Sequence, residues 1–470
     1  MRVLLVEDDE TLISQLTPEI QGLSGADLTI ARSRSSAFEQ LDEHWFDVVV
    51  ADLRIPTSDH LMDAEVEHGQ AVFARVRQLR PGTPIIVLSA FLDLGIMKDF
   101  LDKSEKEDLF GSGTKYLLAG AFEKKKLPDF LRHLRQIASD IRAINDIEIV
   151  TREDISREER RVFQLFTRSN GGSLGRLQSV GGGLSDARTF KIVVEDIRGT
   201  VKARALAKVA EIPAVDDEHA RCARLHSVLP VGSCVSELRV IRAGAGHLAG
   251  LFYPYAETHN RTLFHLLGED PAAAARVIAE LRNVEGAWQK NAPSDEMTVQ
   301  QIRQRSMPDT ALDPIRSSLV GLNLEQFEAR RVQVQICCQH GDLHGANVLV
   351  SDSGAPLLID YGDVADATTA LDPITLELST VFHPDAEQIR GDWPSVEAAS
   401  KWADVDEYTK GCPFSDFIKA CRSWALAVSR GPREVAATAY GVAIRQMKYE
   451  DAPQPLARAI AASAIESFGR

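Results

Sequence analysis

Two regimes of apolar and polar patterning follow one another along this chain. In roughly the first 140 residues, short apolar runs alternate with segments of helical period. Val3-Leu4-Leu5-Val6, Val48-Val49-Val50-Ala51 and Ile85-Ile86-Val87-Leu88 are apolar without alternation, which predicts strands buried on both faces. After the first of them, Leu12, Ile13, Leu16 and Ile20 recur at helical spacing. Strands separated by helices predict a parallel sheet with helices on both faces.

Further on the pattern changes. Leu177-Gln178-Ser179-Val180 and Phe190-Lys191-Ile192-Val193-Val194 read as strands either side of a Gly-rich turn. Arg204-Ala205-Leu206-Ala207-Lys208-Val209 and Leu251-Phe252-Tyr253-Pro254-Tyr255-Ala256 read as two more. Asn347–Val350 and Pro356–Ile359 form a hairpin about the turn Ser351-Asp352-Ser353-Gly354. Residues from about 260 onward look helical, and Asp270-Pro271 opens a helix, a capping acid before Pro. Between the regimes, Arg142 to Arg168 is charged and of helical character until Asn170-Gly171-Gly172 breaks it. That helix either couples the two regimes or crosses between them as a solvated linker.

Composition narrows the class. A chain of 470 residues holds two or three domains, and 44% hydrophobic with 26% charged residues is globular. A net charge of -15 and a sequence pI of about 5.4 oppose broad binding to nucleic acid or an anionic membrane. Six cysteines, with Cys337 and Cys338 adjacent, show neither a disulfide framework nor a CxxC metal pattern and predict buried thiols in a reducing cytoplasm. The acidic start Glu7-Asp8-Asp9 is unlike a signal peptide, and no apolar run approaches membrane-spanning length.

Chemistry gathers first at the carboxyl ends of the N-terminal strands, where a parallel sheet collects its functional groups. Those ends carry Glu7, Asp8, Asp52 and Ser89. Packed carboxylates repel unless a cation joins them, and Mg²⁺ suits oxygen ligands. This stretch, residues 1–140, resembles the receiver domain of bacterial response regulators. The resemblance implies a doubly wound five-stranded sheet with Asp52 as phospho-acceptor and Glu7 and Asp8 on the metal side. It makes Ser89 the hydroxyl facing the phosphoryl group and Phe122 the aromatic switch residue. It also requires a lysine after the last strand. Ala121-Phe122-Glu123-Lys124-Lys125-Lys126 offers it: spacing from Phe122 favours Lys125, with Lys124 the alternative. The usual Pro directly after that lysine is absent, and the stretches Arg54–Gly69 and Ser89–Phe122 are longer than the family pattern. The implied input partner is a histidine kinase or a small phosphodonor. Receivers often dimerise, so a homodimer is an expectation.

The second centre is Gln339-His340-Gly341-Asp342-Leu343-His344-Gly345-Ala346-Asn347, followed by Ile359-Asp360-Tyr361-Gly362-Asp363. Phosphoryl transfer from ATP needs one carboxylate for the acceptor's proton, plus an amide and a carboxylate to hold Mg²⁺. A zinc role for His340 and His344 would want a helix, whereas Gly-Asp-Leu-His-Gly reads as a loop. The motif resembles that of aminoglycoside phosphotransferase-like and choline kinase-like enzymes. On that match Asp342 is the catalytic base, Asn347 and Asp360 are metal ligands, and Tyr361 replaces the usual Phe. The same resemblance gives a nucleotide role to the Gly181-Gly182-Gly183-Leu184-Ser185 turn, whose backbone N–H groups would approach phosphates. It makes Lys208 the phosphate-holding lysine and Glu218 its helical partner, with Glu211 the fallback. Asp372 and Glu377 match a scaffold segment.

The reading is therefore an α/β receiver (1–140), a helical linker (141–170) and an α+β bilobal kinase-like domain. That domain has an antiparallel-sheet N-lobe (171–258) and a helical C-lobe (259–470). The expected function is an Asp-phosphorylated receiver controlling an ATP- and Mg²⁺-dependent phosphotransferase of unknown acceptor. Its rival is a pseudokinase adaptor that signals without transfer. A transcription factor is opposed by the acidic charge and the want of a helix-turn-helix pattern.

Overall fold

The N-terminal apolar runs become the inner strands of a parallel sheet. The structure is a computed structural model that describes residues 1–23, 25–90, 106–180, 187–226, 228–255 and 258–469. In chain order come β1 (Arg2–Val6), α1 (Glu10–Gln21), β2 (Asp27–Ala31), α2 (Arg34–Glu43), β3 (Val48–Ala51), α3 (Val66–Leu79), β4 (Ile85–Ser89), the short pair β5 (Lys106–Glu107) and β6 (Tyr116–Leu117), β7 (Ala119–Glu123) and α4 (Leu127–Asn145). The five-stranded sheet has the order β2-β1-β3-β4-β7, every pair parallel. Strand alternation sorts the core. Val3, Leu5, Val48, Val50, Ile86 and Leu88 face α1 and α4, while Leu4, Val6, Val49, Ala51 and Ile85 face α2 and α3. Asp9 fixes the entry to α1 by accepting from Thr11 N at 2.8 Å.

Residues 141–170 differ from the helical linker expected of them. α4 ends at Asn145, and the chain then extends as β8 (Glu148–Val150) before α5 (Arg157–Ser169). The buried Ile147 and Ile149 flanking exposed Glu148 explain the short strand, which joins a second sheet. The Ser156/Glu159 capping box starts α5. From Arg161 to Thr167 every residue of α5 is buried, so the helix is enclosed on all sides rather than solvated.

The second sheet comprises β9 (Leu174–Ser179), β10 (Arg188–Glu195), β11 (Val201–Glu211), β12 (Arg239–Ile241) and β13 (Leu248–Pro254), with α6 (Ile212–His226) after β11. Its order is β12-β13-β11-β10-β9-β8, antiparallel except for β8 on β9. The Gly181, Gly182, Gly183 and Ser185 assignments lie outside the described residues. Residues 1–219 with 237–255 form one compact unit, and 220–236 with 256–470 another. The receiver-like sheet and the antiparallel sheet therefore share a unit, and one apolar cluster runs from Val3 and Leu5 through Phe130, Phe163 and Phe166 to Phe190 and Phe252.

In the other unit, β14 (Arg261–Thr262), β17 (Val348–Val350) and β18 (Pro356–Leu358) make one small sheet, and β15 (Ser294–Thr298), β16 (Arg331–Gln339) and β19 (Ala365–Thr368) another. Around them lie α7 (Pro271–Gln289), α8 (Leu371–Phe382), α9 (Ser415–Val428), α10 (Pro432–Gln446) and α11 (Gln454–Ser467). Asp270 caps α7 as its position before Pro271 predicts. Glu377 of α8 is fully buried, receives Arg422 of α9 at 2.6 and 2.9 Å and Trp402 Nε1 at 2.7 Å, and so pins two helices together. No helix among the described residues is long and apolar enough to cross a membrane.

Candidate functional sites

At the carboxyl end of the parallel sheet, Glu7, Asp8 and Asp52 offer ligand oxygens within 4.8 Å of one another. Glu7 and Asp52 directly follow apolar strands whose burial draws these two acids inward. Glu7 and Asp52 are themselves buried, Asp8 is exposed, and Ser89 at the end of β4 is buried. Burial pushes the Glu7 carboxyl up to about 7 despite the lysine beside it, and burial likewise raises Asp8. Three oxygen donors with two buried carboxylates suit a hard divalent cation.

The lysine of this site is Lys124, not Lys125. Lys124 Nζ donates to Asp52 Oδ2 at 2.6 Å and Glu7 Oε1 at 2.9 Å. Lys125, its side chain 75% exposed, turns away to Glu123 at 3.0 Å. β7 ends at Glu123 and the chain enters a single 3₁₀ turn over Lys124–Lys126, so the first lysine past the strand is the one aimed along the sheet's carboxyl edge. Burial works against the Lys124 ammonium, but Asp52 and Glu7 outweigh it and its pKa rises. Phe122 is half-buried against Phe130 and His133, with ring centroids 6.0 and 5.3 Å away.

On the antiparallel sheet, Lys208 of β11 is 8% exposed and donates to Glu218 of α6 at 3.1 Å. The fallback Glu211 is not needed for that pair. Tyr253 Oη of β13 also donates to Glu218 Oε1, at 2.9 Å, a contact that strand reading does not reveal.

The third cluster belongs to the other unit. β17 and β18 pair antiparallel as predicted, and Ile359 N donates to Asn347 O at 3.1 Å just beyond the ladder. That bond sets Asn347 opposite Ile359, beside Asp360. Asn347 Nδ2 donates to Asp342 O at 2.9 Å, so the Asp342 loop and the Asn347 amide share one hydrogen-bonded piece. Asp360 has φ +65°, an uncommon left-handed conformation for a residue with a side chain. Gly341 has φ +82°, and a Cβ there would lie 2.3 Å from Asp363 O, which explains glycine ahead of Asp342. Asp372 is buried and grips the loop through His340 N at 2.6 Å and Gly341 N at 2.9 Å. Burial raises its carboxyl to about 6.

Tyr361 is buried, and its hydroxyl accepts from Val235 N at 2.7 Å and donates to Leu358 O, so the departure from Phe is satisfied by hydrogen bonds. The segment Gly341–Ala346 is not helical, and burial with neighbouring His383 and His340 drops His344 to about 3, leaving it a neutral packing group. The sequence reading missed Arg445 of α10. Its Nη2 lies 3.4 Å from Asp342 Oδ1 and 3.7 Å from Asp363 Oδ2. The only local signal is a lone arginine ending an otherwise buried helix face.

Residues 3–108 match the family of the response regulator receiver domain. No curated protein matches the chain. Among solved structures it is similar to a thermostable mutant of aminoglycoside phosphotransferase APH(4)-Ia in ternary complex with ADP and hygromycin B, at 14% identity and TM-score 0.40, over 63% of this chain and 94% of that one. It is also similar to the signal receiver domain of an HD domain-containing protein from Pseudomonas fluorescens Pf-5, at 24% identity and TM-score 0.23, over 29% of this chain and 94% of that one. A CheY-like receiver domain protein from Methanospirillum hungatei JF-1 matches at 18% identity and TM-score 0.22, over 30% and 96%. Residues 3–108 of the chain thus match the response regulator receiver domain.

Proposed function

We propose that this chain is a response regulator whose phosphorylated receiver controls an ATP- and Mg²⁺-dependent phosphotransferase. The observation that carries the transfer reading is the hairpin that joins Asp342, Asn347 and Asp360 through the Asn347 Nδ2–Asp342 O and Ile359 N–Asn347 O bonds. Asp342 accepts the proton of an acceptor hydroxyl as the hydroxyl oxygen bonds to the γ-phosphorus and the bond to the β–γ bridging oxygen breaks, releasing ADP. Asn347 and Asp360 are the donors for Mg²⁺, whose chemistry is to neutralise the phosphate oxygens. Lys208, aimed by Glu218, holds the phosphates. At the receiver, an Asp52 oxygen bonds to the phosphorus as the P–N bond of a phosphohistidine, or the P–O bond of a small phosphodonor, breaks and the donor leaves; Glu7 and Asp8 are the residues that would hold the cation. Lys124 and Ser89 then pair with the new phosphoryl oxygens.

The test is Mg·ATP consumption by the full chain. Asp342→Ala should lower it by about 10²-fold or more while leaving nucleotide affinity within about twofold. Full consumption by Asp342→Asn would overturn the assignment. One observation favours the adaptor reading: Arg445 already engages the Asp342 carboxylate. Nucleotide that is bound and never consumed, in any receiver state and with candidate hydroxyl acceptors present, would select that reading.

A further inference from the structure

The antiparallel sheet has two faces with separate duties. Ala205, Ala207 and Val209 of β11, Phe190 and Ile192 of β10 and Phe252 of β13 face the shared core. Lys208, paired across β11 and β13 with Leu251, and Tyr253, paired with Leu206, face the other way. α5 presses on the core face: Phe166 stacks on Phe252 with centroids 3.9 Å apart and planes 2° from parallel, and Phe163 meets Phe190 edge-on at 5.1 Å. Behind Phe252, the next residue along β13 is the Tyr253 that holds Glu218.

Receiver groups grip α5 at both ends. Near its start, buried Arg161 donates to buried Asp47 at 3.1 Å, and the guanidinium carbons of Arg157 and Arg161 lie 4.8 and 5.4 Å from the Trp45 ring centroid. At its last turn, Arg168 donates to Asp140 Oδ1 of α4 at 2.9 Å and to Phe110 O at 2.8 Å. The same Asp140 accepts from Tyr116 Oη at 2.7 Å. Tyr116 in turn packs on His133, 6.2 Å away, the ring that Phe122 also touches. A further clasp joins Gly244 N to Gly82 O and Gly82 N to Gly246 O, both at 2.9 Å. A Cβ at Gly244 would lie 2.1 Å from Leu109 O.

We propose that the Lys208–Glu218 pair is positioned from the receiver through α5, with Tyr116, Arg168, Phe166 and Tyr253 as positioning residues. The inference rests on the phosphotransferase reading for the task of Lys208 and on the receiver reading for the input. Phe122 and Lys124 flank Glu123, so a change at the phospho-acceptor reaches α4, then the Tyr116–Asp140–Arg168 bonds, then α5. Close packing passes the displacement to β13 rather than absorbing it. The element that moves is α5, and the element that reports is the hydroxyl of Tyr253.

Hydrogen exchange of the full chain, with and without a beryllium fluoride phosphoryl mimic and Mg²⁺, tests this without requiring turnover. The expected result is altered exchange at the loops bearing Asp8 and Asp52 and also over residues 201–219. Tyr116→Phe, which removes one hydroxyl, keeps the first response and loses most of the second. Tyr253→Phe keeps the receiver response and weakens binding of a non-hydrolysable Mg·ATP analogue about fivefold or more. In the wild type, mimic and analogue change each other's affinity by the same factor. An undiminished response over 201–219 in Tyr116→Phe overturns the route, as does a receiver response that never leaves the first 145 residues. A mimic without effect even at the Asp52 loops removes the input and overturns it as well. Failure to bind nucleotide, with the exchange response intact, defeats only the phosphotransferase reading.

Discussion

Replacing Phe166 by alanine tests whether receiver and antiparallel sheet fold as one body. Phe166 is fully buried and stacks on Phe252 at 3.9 Å. Burial of a Phe side chain removes roughly 150 Å² or more from water, about 4 kcal/mol at 25 cal/mol per Å². Phe-to-Ala core substitutions cost about 3–5 kcal/mol, so the two routes agree. At about 1.4 kcal/mol per decade, a loss near 4 kcal/mol raises exchange through global opening by on the order of 10³-fold. The assay is native-state hydrogen exchange resolved by segment. One shared core predicts the same acceleration for the slowest amides of β1, β3 and β4 as for those of β10 and β11. Acceleration confined to β9–β13, with β1–β4 at wild-type rates, would refute the shared core and weaken the route built on it.

Two further outcomes follow from the receiver site. Lys124→Ala should weaken the beryllium fluoride complex about tenfold or more, because it removes a charge-assisted bond of about 1.5–3 kcal/mol, whereas Lys125→Ala should stay within about twofold; titration of the mimic against intrinsic fluorescence reads both, and the reverse order would restore Lys125. Glu7, pushed up to about 7 from its ordinary 4.5 by burial, keeps its proton in the folded chain over a window where the unfolded chain has lost it. Its contribution to stability is thus fully present below about pH 4.5 and lost as pH rises through about 7. Mg²⁺ needs the carboxylate, so its binding should tighten as pH rises toward 7 and release a proton at pH 6. Calorimetry in two buffers of unlike ionisation enthalpy detects that proton, and its absence would show that Glu7 is already ionised.

What was legible in the sequence was local. Asn347 and Asp360 flank one hairpin and Asp342 lies five residues before Asn347, so strand propensity, a Ser-Asp-Ser-Gly turn and residue spacing suffice to predict their company. Glu7, Asp52 and Ser89 were legible because an unbroken apolar run announces a buried parallel strand and its last residue marks the carboxyl edge. The choice between Lys124 and Lys125 was not, since it depends on whether β7 stops at Glu123 or one residue later. Arg445 reaches Asp342 across about a hundred residues of chain, and only packing makes them neighbours. The burial of α5 was hidden by its own charge. Arg161, Gln164 and Thr167 look solvated in sequence, yet Arg161 has Asp47 and Asn145, and Gln164 Nε2 reaches Ile147 O at 3.1 Å. A polar residue with a reserved partner carries no mark of it in the sequence.

The shared core also decides how such a receiver could act. Phosphorylation of Asp52 adds a few charge-assisted hydrogen bonds, each worth about 1.5–3 kcal/mol net. Lifting the receiver together with α5 off the sheet would expose Phe163 and Phe166 and their sheet partners Phe190 and Phe252, each fully buried and each costing about 2–3 kcal/mol. The sum, roughly 8–12 kcal/mol, exceeds the roughly 3–6 kcal/mol that charge-assisted bonds from Lys124 and Ser89 would add. Undocking is therefore disfavoured on energy, and the proposed small shift of α5 within an intact core costs less. A shift of that kind is cheap, and it is felt where geometry is least forgiving: at the 3.1 Å contact between Lys208 and Glu218.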